Sequence, residues 1–169
     1  SYEYDRQVVK DFNPDFYGGL QNVFTYKGFQ LDFLFQFVKQ QNFNFANTQK
    51  FAGHFINQPV AYLNSWQEAG DNAPYQLYAT NANSQATQRS DFFGLSSGAV
   101  SDASFIRLKN ISVAYTLPKS IMPNVDCRLS LEGQNVLTFT NYQGADPEFV
   151  QGAQLPPLKM YSFNLQLTF

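Results

Sequence analysis

Residues Tyr161 to Phe169 read YSFNLQLTF. Tyr161, Phe163, Leu165, Leu167 and Phe169 occupy every second position, and Ser162, Asn164, Gln166 and Thr168 fill the gaps. Successive side chains of an extended strand point to opposite faces, so this alternation predicts a strand with one apolar and one polar side. The period recurs upstream. Phe29 to Phe37 reads FQLDFLFQF, setting Phe29, Leu31, Phe33, Phe35 and Phe37 against Gln30, Asp32 and Gln36, with Leu34 out of pattern. Phe16, Leu20, Phe24 and Tyr26 share a register. Ile111, Val113, Tyr115 and Leu117 alternate with Ser112, Ala114 and Thr116, and Cys127, Leu129 and Leu131 with Arg128, Ser130 and Glu132. Tyr2, Tyr4 and Val8 carry a weaker version. The pattern predicts six strands, over residues 1–10, 16–26, 29–41, 104–117, 126–139 and 158–169. Each complete strand has at least the roughly 9–11 residues needed to cross a bilayer at a tilt.

Composition agrees with two-faced strands. The 169-residue chain has 17% aromatic residues but only 14% charged ones. Its mean hydropathy is nevertheless −0.32, so apolar and uncharged polar residues must be interleaved. Many aromatics and a net charge of only −2 argue against disorder and against a nucleic-acid footprint. Cys127 is the single cysteine and His54 the single histidine, which excludes a disulfide framework and a histidine-rich metal site. No apolar run is long enough for a transmembrane helix.

The connections are unequal. Lys27-Gly28 is a tight-turn dipeptide, and Pro118 to Asn124 (PKSIMPN) is a short, proline-barred turn. Residues 42–103 and 140–157 form long connections. Membrane barrels have short periplasmic turns and long extracellular loops, which assigns 42–103 and 140–157 to the extracellular side. The link over residues 11–15 is short for an extracellular one. Tyr26, Phe29, Tyr115 and Phe169 are expected at the periplasmic rim, and Phe16, Phe105, Phe139 and Tyr161 at the outer rim. Within 42–103, Pro59–Ala69 (PVAYLNSWQEA) spaces Val60, Leu63 and Trp66 as a short helix would. The fold class expected is all-β: a transmembrane antiparallel β-barrel with a long extracellular loop containing a short helix.

Six strands do not close a membrane barrel, since such barrels start at about eight. An open sheet in lipid would leave backbone groups unpaired at both edges. Ser1–Lys10 (SYEYDRQVVK) lacks the apolar core of a secretory signal. The chain is therefore expected to be part of a longer polypeptide.

Four ordered stretches carry a family resemblance: NPDFYGGLQNVFTYKGFQLDFLFQ (Asn13–Gln36), SFIRLKNISVAYTLPKSI (Ser104–Ile121), LEGQNVLTFTNYQGADPE (Leu131–Glu148) and the terminal YSFNLQLTF. Together they resemble the C-terminus of SusC/RagA-type TonB-linked outer-membrane transporters of Bacteroidetes. The resemblance implies the last strands of a 22-stranded barrel, residues 1–169 being one piece of it. The plug domain, the TonB-contacting segment and the N-terminal strands would lie outside this sequence. It implies a SusD-like surface lipoprotein as partner and TonB-driven import of oligosaccharides or peptides; from the residues themselves, no enzymatic activity and no cofactor are expected. A passive porin-type barrel and a soluble all-β carbohydrate-binding domain are the competing readings. A sandwich would also show alternating strands.

Candidate functional residues follow in order of weight. Tyr161, Phe163, Leu165, Leu167 and Phe169 resemble the C-terminal signal by which outer-membrane proteins are recognised for assembly; the plain alternative is any lipid-facing strand. Tyr62, Trp66, Tyr75 and Tyr78 offer rings for stacking on sugars, and Asp71 and Asn72 offer hydrogen bonds to substrate or lid. The plain alternative, favoured for Trp66 by its spacing to Leu63, is packing of the loop's own core. For Asp146-Pro147-Glu148 an Asp-Pro turn is a sufficient account. Asp32, Arg128 and Glu132 lie on polar strand faces and are expected to point into a lumen. Cys127 fills the apolar face, and His54 has no recognisable partner. No nucleophile–base pair, phosphate loop or zinc spacing is present.

Overall fold

The computed structural model describes residues 4, 11–44, 52–53, 55–80, 85–142, 144–149 and 155–169. Five strands form one antiparallel sheet in the order β1 (Phe16–Tyr26), β2 (Phe29–Lys39), β5 (Phe105–Thr116), β6 (Asp126–Thr140) and β7 (Met160–Thr168). A small ladder joins β3 (Gln41–Phe43) to β4 (Val100–Asp102) and closes the base of the longest connection. The strand expected over 1–10 lies outside the described residues, except Tyr4, which is exposed and helical.

The register turns the period-2 pattern into two faces. Phe24, Leu31, Val113, Leu131 and Phe163 stand in one cross-strand row, and Tyr26, Phe29, Tyr115, Leu129 and Leu165 in the next. The intervening row is Thr25, Gln30, Ala114, Ser130 and Asn164. Leu131 and Phe163 are 62% and 63% exposed, and most side chains of the apolar face are similarly open. Soluble monomers rarely leave so much contiguous apolar surface uncovered. The polar face is knitted across strands: Arg128 donates to Gln30 Oε1 at 2.8 Å, and Asn164 to Ser130 Oγ at 3.4 Å. Asp32, Arg128 and Glu132 all fall on this polar side.

The β1–β2 hairpin turns at Lys27 and Gly28, whose φ angles of 44° and 88° are both positive. Positive φ at both central residues is the requirement of a type I′ hairpin turn, whose twist matches the flanking strands. Gly28 also lies against β5, accepting the Thr116 N–H at 2.9 Å, and a Cβ there would stand 2.8 Å from Thr116 O. Gly28→Val should therefore cost more than the roughly 1–2 kcal/mol of a left-handed non-glycine residue. The expected result is a lower unfolding midpoint for the parent protein; an unchanged midpoint would mean the turn relaxes freely.

One irregularity bends the ladders. Lys109 is extra in β5 relative to Leu34/Phe35 of β2, and the β5–β6 register shifts at the same level, near Asn135 with φ 52°. Two aromatic assignments change on the register. Tyr161 faces Gly133, the middle of β6, because β7 begins only at Met160. It does not share the rim level of Phe139. Phe105 lies on the polar face beside Arg107 and is buried, so it is not an outward rim residue. Phe16 and Phe139 do stand exposed at that end, and Phe29 packs on Tyr115 with ring centroids 4.2 Å apart at the other.

The described part of region 42–103 holds a 3-10 turn at Val60–Asn64 and a helix, α1, at Gln85–Gly94. The short helix anticipated over Pro59–Ala69 is thus only a turn, and α1 was not anticipated.

Candidate functional site

The long connections 42–103 and 140–157 leave the same end of the sheet, and a buried arginine of β5 fastens the second of them there. Arg107 precedes the β5 bulge on the polar face, opposite Gln36 and Thr138. Its side chain is 1% exposed. The guanidinium donates to Asp146 Oδ2 at 2.6 Å, to Glu148 Oε2 at 2.8 Å and to Thr138 Oγ1 at 3.1 Å. Phe105 stacks beneath it, 5.1 Å from ring centroid to Cζ. Lys109 adds a second cation 3.6 Å from Glu148. Arginine suits such a place because its planar fork of donors can satisfy two carboxylates at once.

The acidic partners come from the β6–β7 connection. Asp146 Oδ1 also accepts the Glu148 N–H at 2.9 Å, the turn expected of Asp146-Pro147-Glu148. The turn aims both carboxylates at Arg107, a role the sequence reading did not assign. Neighbouring bonds complete the knot. Gln40, where β2 breaks off, donates to Pro147 O at 3.0 Å and to Ala103 O at 3.3 Å. Tyr142 donates to Phe43 O at 2.9 Å, so a residue of one connection holds the base of the other. Burial raises the Tyr142 phenol above its usual range, and the Asp146 charge adds to the effect. Beside the knot, the Ser104 hydroxyl and N–H bond Asp102, which Lys39 also pairs at 3.1 Å. The Ser104 hydroxyl first, then its N–H, holds the Asp102 carboxyl below the ordinary range, with Lys39 assisting.

The loop residues singled out from sequence divide into two groups. Tyr62 is buried and meets Tyr75 edge-on at 4.8 Å, while the Trp66 N–H donates to Tyr75 O at 2.8 Å. Burial, followed by the neighbouring Tyr75 and Tyr78, raises the Tyr62 phenol. Leu63 is 76% exposed, so Trp66 is held by Tyr75 rather than by the Leu63 spacing. Asp71 accepts the Gln67 and Glu68 N–H groups at 2.9 and 3.0 Å, and these bonds lower its pKa. Asn72 and Tyr78 are exposed. On β7, Tyr161, Phe163, Leu165 and Leu167 share the exposed apolar face, and Phe169 follows them. Cys127 is buried on the same face opposite Leu167, and His54 lies outside the described residues. Among the described residues no three His, Cys, Asp or Glu side chains group to hold a metal. The arrangement holds the 140–157 connection against the end of the sheet.

A two-faced antiparallel sheet, apolar and uncovered on one side, with long connections at one end and tight turns at the other, is of the class that forms outer-membrane barrel walls. No protein-family model matches the chain. Two curated relatives come from Formosa agariphila: TonB-dependent receptor P3, 34% identical over 148 residues, and TonB-dependent receptor P39, 31% identical over 159. Each alignment covers 85% of this chain and 14% of the relative. Solved structures of the RagAB peptide importer in open-open and closed-closed states align over the whole chain and 19% of theirs. Their TM-scores are 0.69 and 0.73, at 26% identity. Over most of its length the chain is similar to TonB-dependent receptors, and in fold to the RagAB importer. It spans about one seventh of the length of the curated relatives it matches.

Proposed function

We propose that these residues are the C-terminal barrel strands of a TonB-dependent importer in the outer membrane of a Bacteroidetes-type bacterium. The parent protein would be a 22-stranded barrel with a plug, capped by a SusD-like lipoprotein and importing peptides or oligosaccharides. The observation that carries this reading is the open apolar face of the five-strand sheet, joined to the receptor relatives. A water-soluble sandwich needs that face covered by a second sheet; among the described residues none covers it. The edge strands β1 and β7 each have one partner among the described strands, and in lipid their free backbone groups need more strands to pair with. In this reading β7 and its face of Tyr161, Phe163, Leu165, Leu167 and Phe169 serve the assembly machinery. Tyr62, Trp66, Asp71, Asn72, Tyr75 and Tyr78 lie in the extracellular loop that meets lid or substrate. Asp71, Asn72 and Tyr78 are the exposed members, so they are the stronger contact candidates.

The experiment is made on the full-length gene. Deleting the plug region or disrupting TonB should abolish uptake of large nutrients while the barrel still reaches the outer membrane. Uptake that persists without TonB would favour a passive porin. Replacing Phe169 by Asp should lower the assembled amount of receptor several-fold; unchanged surface levels would remove the assembly role.

A further inference from the structure

The polar face of the sheet carries a recess of about 470 Å³ at the level of the β5 bulge, toward the long-loop end. Three breaks in strand regularity make it. Gly19 of β1 has no side chain, and a Cβ there would meet Phe35 O at 3.4 Å and Leu34 Cδ1 at 3.5 Å, so the space over it is open. The extra residue Lys109 interrupts the alternation of β5, so Lys109 and Asn110 both line the recess although they are consecutive. On β6, Gln134 and Asn135 do the same where the register shifts. A glycine inside a strand often marks a place where a ligand or another backbone comes close, and bulges gather beside active sites.

The hydrogen-bonding capacity of the recess is unspent. Elsewhere the polar face is paired across strands: Gln21 donates to Asp32 at 3.4 Å, Arg128 to Gln30 at 2.8 Å and Asn164 to Ser130 at 3.4 Å. The side chains of Gln36, Asn110 and Gln134, which line the recess, bond no other described residue, and Gln36 Oε1 is buried without a partner. Asn135 is tied to Leu158 O at 3.2 Å. Lys109 has only a 3.6 Å approach to Glu148 Oε2, which already accepts from Arg107. Buried polar atoms are nearly always paired, so an orphan acceptor beside two unspent amides calls for an explanation, and a bound ligand is one.

We propose that the recess is a subsite for the main chain of an imported peptide, held by the Gln36, Asn110 and Gln134 amides over the bare Gly19, with Lys109 donating to a peptide carbonyl. The proposal rests on reading the polar face as the lumen of an importer with its long loops outside. Three features decide for a peptide against an oligosaccharide or an ionic ligand. A primary amide carries both donors and an acceptor, as a peptide group does, so these side chains can pair a peptide's N–H and C=O together. No aromatic ring lines the recess, so it offers no face on which a sugar ring could stack. No carboxylate lines it either, and the Arg107 and Lys109 charges are matched by Asp146 and Glu148, so recognition falls on the neutral main chain rather than on an ionised group. Leu34 adds an apolar wall for one peptide side chain.

The test uses the full-length receptor purified in detergent and carrying Gly19→Cys, with a water-soluble maleimide as reporter and mass spectrometry to locate the adduct. The probes are a tryptic digest of casein and a mixture of malto-oligosaccharides. Position 19 should be labelled in the free receptor and shielded by the digest, but not by the oligosaccharides. Adding Asn110→Leu or Gln134→Leu should raise the digest concentration needed for half-protection roughly tenfold, the loss of one amide's hydrogen bonds. Adding Asn164→Leu, on the same face but paired with Ser130 nearer the tight-turn end, should leave it unchanged. Shielding by the oligosaccharides instead, no shielding by the digest, or shielding indifferent to both leucine variants of the recess would each overturn the proposal while leaving the lumen reading intact. Labelling that appears only after the plug region is deleted would give the recess to the plug and overturn the proposal as well. No labelling with or without the plug would overturn the reading of this face as a lumen.

Discussion

Leu131→Arg destabilises the parent protein by about 2–4 kcal/mol, the penalty for an arginine facing lipid at the bilayer midplane. Leu131 stands in the row Phe24–Leu31–Val113–Leu131–Phe163, in the middle of the sheet and on its apolar face. Ser130, its neighbour, belongs to the polar row of Gln30, Ala114 and Asn164. Ser130→Arg is therefore close to neutral, since its guanidinium enters a hydrated space beside polar side chains. The two substitutions add the same group one residue apart, so strand propensity and expression cancel in the comparison. Folding of the full-length receptor into lipid vesicles, followed by denaturant titration, measures the difference. Equal effects would mean that both faces see similar surroundings.

Arg107→Met has the second large effect. Arg107 is 1% exposed and Asp146 9%, so removing the cation leaves a buried carboxylate without its partner. Breaking one side of a buried ion pair costs about 3–5 kcal/mol. The loss should be local first, freeing the 140–157 connection from the β2 and β5 ends. Limited proteolysis of the receptor in detergent should show new cleavage there, while β1 and the Lys27 turn stay protected. A triple variant, Arg107→Met with Asp146→Asn and Glu148→Gln, removes the stranded charges and should recover part of the protection. If the single variant is cut no faster than the wild type, the knot does not hold the loop. If the triple variant is no better than the single one, packing around Arg107 matters more than charge.

The sheet was legible because its signal is local. A period of two over nine or more residues needs no knowledge of neighbours, and Tyr161–Phe169 and Phe29–Phe37 show it with few breaks. The Lys27-Gly28 turn was legible for the same reason: glycine at a positive-φ position between two alternating runs is a short-range feature. Registers were not legible. The alternation alone places Tyr161 near the outer rim, but its level depends on pairing with Gly133 across β6. Phe105 looked like another rim aromatic, yet its parity matches Arg107, and it turns to the polar side.

The knot was hidden more deeply. Arg107 is one polar residue in an alternating strand, with nothing local to separate it from Arg128. Its partners Asp146 and Glu148 lie 39 and 41 residues away, brought together by the β5–β6 register and the Asp146 turn. The local reading of Asp146-Pro147-Glu148 as a turn was right and incomplete, since a turn's shape does not reveal what it faces. Helix α1 escaped notice because QATQRSDFFG has no apolar stripe at helical spacing, and Phe92 and Phe93 are both exposed. In the Tyr62 cluster the aromatic composition was informative but the partner was not: Trp66 joins Tyr75 through the backbone, and Leu63 turns outward.

The account turns on one claim, that alternate residues of these strands face lipid and water. Nitroxide labels placed singly at Ser130, Leu131, Ser162, Phe163 and Asn164 of the full-length receptor in vesicles test it directly. Collision rates with lipid-soluble oxygen should be high at Leu131 and Phe163. Collision rates with a water-soluble nickel complex should be high at Ser130, Ser162 and Asn164. A profile without that two-residue period, or one with high nickel collision at Leu131 and Phe163, would contradict the assignment of this sheet to a membrane wall.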